Sequence, residues 1–119
     1  MNIEDFRAHC LSKPGATEEL PFGPDTLVFK VAGKMFALCS ISDYSSGVAL
    51  KCDPEQAVEL REKYPQVKPG YHMSKVHWNT VFPEAGLPDG LLKQWTDDSY
   101  RLVTAKLTRK QRQAIGGSC

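Results

Sequence analysis

No apolar run in this chain approaches the length of a membrane span. The N-terminal stretch Met1–Arg7 is charged and lacks the apolar core of a signal peptide, so a cytoplasmic location with no membrane partner is expected. Cys-x-x-Cys pairs are missing. The four cysteines (Cys10, Cys39, Cys52, Cys119) are scattered, and without a secretory signal they read as free thiols. Cys39 and Cys52 fall in apolar, strand-like segments and are expected to pack in the core. Glycine-rich phosphate loops, a Gly-x-Ser-x-Gly context and paired carboxylates are also lacking, so no catalytic residue is assigned. The enzyme reading would rest on His72 or His77 as general base, and no substrate suggests itself.

The chain has 119 residues, with 41% hydrophobic and 24% charged, the balance of a globular protein with one real core. A single domain over 1–119 is expected. The net charge of +1 argues against a global polycation. Its distribution is uneven. Residues 1–66 carry 7 basic and 10 acidic side chains, hence −3; residues 67–119 carry 8 and 4, hence +4. From Arg101 onward there are five basic residues and no acidic one. That run is either a solvated helix face or a local anion-binding patch.

Periodicity gives the element order α-β-β-β-α-β-α-α. Ile3–Leu11 repeats apolar residues at helical spacing behind Asn2 as cap. Glu18–Pro24 reads as a loop. Thr26–Ala32 and Met35–Ile41 read as strands joined by a Gly33-Lys34 turn, and Val48–Cys52 as a third strand. Asp53-Pro54-Glu55 opens a helix that Pro65 ends. Val67–Ser74 reads as an irregular connection and His77–Phe82 as a fourth strand. Pro88-Asp89 opens a helical region in which Asp97 or Asp98 starts a further helix and Thr108 a last short one. This order predicts an α+β two-layer sandwich whose mainly antiparallel sheet has one face covered by helices and one open.

The densest chemistry lies in Pro69–Val81, which holds Tyr71, His72, Lys75, His77 and Trp78. Strand alternation sends Trp78 and Thr80 one way and His77, Asn79 and Val81 the other. If Trp78 shares the side of Lys30 and Lys51, the open face pairs an aromatic ring with lysines, a combination that stacks planar groups and holds phosphates. Otherwise Trp78 is core and His77 and Asn79 lie outward. His72 and His77 have no neighbours at a metal-ligand spacing, and no metal or cofactor is expected. The candidate binding residues are Lys51, His72, Lys75, His77, Trp78, Asn79 and Thr80. The partners they suggest are DNA, a small anionic metabolite or a protein, bound by a monomer.

The segment Pro69-Gly70-Tyr71-His72-Met73-Ser74-Lys75-Val76-His77-Trp78-Asn79-Thr80-Val81 resembles the hallmark of the MmcQ/YjbR family of small bacterial proteins. Cys10–Ala16, Lys34–Ala37, Leu50–Cys52, Asp98–Tyr100 and Leu102-Val103 match in register. The resemblance implies a CyaY-like fold and the "double wing" DNA-binding role proposed for such proteins. The fold likeness also raises frataxin-like iron handling, which draws on an acidic first helix. Here that helix offers only Glu4 and Asp5 beside Arg7 and His9, so iron binding is not expected.

Overall fold

A computed structural model describes residues 1–70 and 74–115. Helix α1 (Ile3–Leu11) starts where Asp5 N donates to Asn2 Oδ1 at 2.8 Å. Strands β1 (Ala16–Glu19), β2 (Thr26–Val31), β3 (Lys34–Ser40) and β4 (Val48–Lys51) follow, with a 3-10 turn at Tyr44–Ser46. Helix α2 (Pro54–Lys63) is capped by Asp53, which accepts from Gln56 N at 3.3 Å. Strands β5 (Val67–Pro69) and β6 (Trp78–Val81) lead to α3 (Asp89–Thr104) and α4 (Arg109–Ala114). Thr108 and Gln111 close a capping box at the start of α4.

Among the described residues the five strand pairings are all antiparallel, in the order β1-β2-β3-β4-β6-β5. Helices α1, α2 and α3 lie on one face. Phe6 of α1 meets the Phe29 ring edge-on at 5.8 Å, and Phe36 meets Tyr100 of α3 at 5.4 Å. Tyr64, just after α2, meets Trp95 of α3 at 5.1 Å. Phe6, Phe29 and Phe36 are fully buried, each stabilising the fold by roughly 2–3 kcal/mol through transfer from water. The α+β sandwich with one helix-covered face is therefore the architecture of this chain.

Two strands lie where the sequence reads as loop. Both are edges. β1 ends in Glu18-Glu19 and β5 contains Lys68-Pro69, and charge and proline at edges discourage pairing with other chains while erasing the strand pattern. The first hairpin turns one residue earlier than expected, because Val31 pairs with Lys34. Its central residues Ala32 and Gly33 have φ of +50° and +77°, the two positive values of a type I′ turn. α3 runs unbroken through Asp97 and Asp98. Their side chains leave the backbone alone and pair instead with His9, Lys13 and Arg101.

A bulge between Phe29 and Lys30 shifts the β2–β3 register, and Phe36 is the extra residue. The ladder breaks there. Ser99 of α3, fully buried, closes the gap: its hydroxyl accepts from Lys51 N at 2.9 Å and donates to Phe36 O at 2.5 Å. One helix side chain thus fixes the end of β4 against β3.

Candidate anion-binding site

The β4–β6 register decides which groups share a face. Val48 pairs with Val81 and Leu50 with Asn79, and all but Asn79 belong to the apolar cluster under the helices. The alternate pairs, Ala49 with Thr80 and Lys51 with Trp78, therefore face away from the helices. The same row continues through Leu38 and Val28 to Glu19 on one side, and to Lys68 on the other. Lys30 also faces this way, beside Glu19 at 3.5 Å.

Trp78 is only 8% exposed. Gly70 lies against it: a Cβ built on Gly70 would sit 3.1 Å from Trp78 Cβ and 3.2 Å from Trp78 O, so the missing side chain lets the two backbones approach. Trp78 is thus a wall beside Lys51 more than a free stacking platform. Thr80 is equally covered, with Gly47 packed over it. Gly47 has φ +102°, and a Cβ there would meet Thr80 Cγ2 at 2.7 Å.

Asn79 points to the helix side and is 2% exposed. Its Oδ1 accepts from Arg61 Nε at 2.7 Å, and its Nδ2 donates to Ala57 O at 3.4 Å. Arg61 also donates through Nη2 to Lys75 O. One guanidinium therefore ties α2 both to β6 and to the turn before it. Ser74, Lys75, Val76 and His77 of that turn are exposed. His77 O accepts from Cys52 N at 2.8 Å, and Trp78 N donates to Ser74 O at 2.9 Å. The candidate His72 lies outside the described residues.

Of the sequence candidates, Lys51, Trp78 and Thr80 come together on the helix-free face, with Lys75 and His77 exposed at its margin. Asn79 does not join them; its place is structural support from behind. Arg61 and Ser99 were not among the candidates. The first reads in sequence only as a residue of the helix that Asp53-Pro54-Glu55 opens, and its two carbonyl partners reveal its role. Nothing local in sequence marks Ser99 as the bridge of a broken ladder.

Lys51 has its pKa lowered, chiefly by burial and further by the charges of Lys106 and Lys34. Positive charge thus accumulates at this corner. Among the described residues none of Lys34, Lys51, Lys68, Lys75, His77 and Lys106 has an ion-pair partner. Behind the sheet, a cavity of about 20 Å³ between Leu50, Leu60, Trp95 and Leu102 holds at most one water. Cys52 borders it, and burial, with Asp53 and Asp98, pushes its thiol up to about 11. Such a thiol is a poor nucleophile. What the corner offers chemically is the exposed cationic side chains of Lys68 and Lys75 beside the half-buried Lys51, suited to holding oxyanions.

The YjbR family model matches residues 11–102. The Escherichia coli O157:H7 protein YbdF, named as uncharacterized, is 38% identical over 95 residues, covering 80% of this chain and 78% of the relative. YjbR of Escherichia coli K12, also named as uncharacterized, is 30% identical over 97% of this chain and 98% of its own. Among solved structures, the Deinococcus radiodurans protein DR2400, a DUF419 domain, superposes with a TM-score of 0.89 at 40% identity, covering 97% and 88% of the two chains. A Pseudomonas syringae protein gives 0.74 at 30% identity, covering 86% and 98%.

Proposed function

This chain belongs to the YjbR family, and we propose that it is a binding module for phosphate-bearing polyanions, nucleic acid foremost. The observation that carries this reading is the gathering of Lys51, Lys68, Lys75 and His77 around the β4–β6–β5 end of the sheet, without carboxylate partners among the described residues. Lys68, Lys75 and His77 are exposed, so a phosphate replaces water at them at little desolvation cost. Residues 67–119, which include Lys68, Lys75 and His77, carry a balance of +4, and a net positive charge favours approach of an anion. Lys34 and Lys106 extend the patch toward the α3 C-terminus, where a cation also complements the helix dipole. The near-flush Trp78 makes the reading electrostatic, with recognition of phosphate rather than of base identity.

Short single- and double-stranded DNA titrated into the protein, followed by backbone amide NMR, tests this. If three lysines each engage one phosphate, the log–log salt slope is about −2.7, and affinity falls about 40-fold between roughly 50 and 200 mM salt. Salt-sensitive shifts centred on Lys51, Lys68 and Lys75–Trp78 are expected. The absence of shifts at low salt and high protein concentration contradicts the proposal.

A further inference from the structure

A second surface lies at the opposite edge of the sheet. Between α1, the end of β1 and the start of β2 runs an open groove of about 320 Å³. Its walls are Ile3, Leu20, Leu27 and Ile41, and Arg7, Glu18 and Glu4 supply its polar groups. That volume reaches the range of ligand clefts. The side chains around it are unusually bare. Leu20 is 49% exposed, Ile41 45%, and Phe22, two residues past Leu20, 64%. These are three of the five large apolar side chains that stand exposed among the described residues. A cluster of that kind marks an interaction surface.

The charges around the groove say what would fit. Arg7 is paired with Glu18, donating through Nε and Nη2 to its two carboxylate oxygens at 2.6 Å each. Glu4 on the groove, and Asp25 and Asp43 flanking Ile41, have no cationic partner among the described residues. Asp25 is held in place because its carbonyl accepts from Ile41 N at 2.7 Å, and its carboxylate from Ser40 Oγ and Ser42 N. Those donors keep its carboxyl below the usual Asp range. Beside the apolar floor stand Glu4 on the groove and, next to Ile41, Asp25 and Asp43, and of these Asp25 is held in place.

We infer that this groove docks a segment of a partner protein that carries apolar anchor side chains flanked by lysine or arginine. The anchors would replace water over Leu20, Leu27 and Ile41, and the flanking cations would meet Glu4, Asp25 and Asp43. The groove sits at the β1 edge, five strands away from β5, so its occupant and a polyanion at Lys51 need not compete. The inference does not depend on the anion-binding reading.

The test is selection of a randomised peptide display library on the immobilised full chain, followed by titration of the enriched peptides. The expected winners combine leucine-like or aromatic residues with flanking lysine or arginine, and they shift the amides of Ile3, Leu20 and Ile41. Leu20→Ser/Ile41→Ser should weaken them by about tenfold or more, and Glu4→Lys should weaken them further. All three positions are solvent-accessible, and the amide spectrum of each variant checks that the fold is kept. Three results overturn the inference: no enrichment, enriched peptides with acidic flanks, or enriched peptides that bind the serine variant as tightly as the native chain.

Discussion

Replacing Ser99 with alanine removes a single oxygen yet leaves two backbone groups without partners. Phe36 O lies in the fully buried bulge, and Lys51 N at the half-buried end of β4. Each orphaned group costs about 1–3 kcal/mol. Water reaches the Lys51 amide in part, so the expected total is about 2–4 kcal/mol. At about 4 °C per kcal/mol for a domain of this size, that lowers Tm by roughly 8–16 °C. Urea unfolding of the native chain and Ser99→Ala measures the difference directly. Hydrogen exchange locates it, since the Lys51 amide should lose protection more than its neighbours on β4. A change below about 0.5 kcal/mol, with Lys51 still protected, would refute the argument that the hydroxyl repairs the ladder.

Three further outcomes are expected. Gly47→Ala forces a side chain onto φ +102° and against Thr80 and Val81; a loss of about 1–3 kcal/mol in urea unfolding is expected, and an unchanged midpoint contradicts that packing. Arg61→Lys keeps the charge but loses the fork that serves Asn79 Oδ1 and Lys75 O; the amides of Lys75–Trp78 should shift, whereas an unmoved spectrum means that the turn is held by something else. Asp97 meets His9 Nε2 at 2.8 Å and also pairs with Lys13. Burial alone would raise its pKa, but the Lys13 and His9 hydrogen bonds outweigh this and lower it below 3.8. Its stabilisation is thus complete above that value and is lost as pH falls through the lower folded-state value. Asp97→Asn should flatten the acid limb of the stability curve, and an unchanged limb assigns acid unfolding to other groups.

The elements with strong local signals were legible in the sequence. Asn2, Asp53 and Thr108 are caps whose side chains find the expected amides. Leu27, Phe29 and Val31 alternate as a half-buried strand and lie in the core. Loss of legibility has physical causes. Edge strands β1 and β5 carry Glu19, Lys68 and Pro69 because edges need them, so they resemble loops. Asp97 and Asp98 mimic a helix start, yet their carboxylates are drawn to distant or neighbouring cations. Strand alternation split Trp78 from Asn79 correctly, but it takes the register with β4 to tell which of them the helices cover. Ser99 and Arg61 act across 48 and 18 residues of sequence, through partners that no local pattern names.

The central claim is that lysines at the β4–β6–β5 end of the sheet engage phosphates. It is tested most directly by the salt dependence of DNA affinity for the native chain and for Lys51→Ala/Lys75→Ala. Two lost phosphate contacts should make the log–log slope shallower by about 1.8. Equal slopes with equal affinities would show that these lysines do not touch the ligand and would remove the site from this corner.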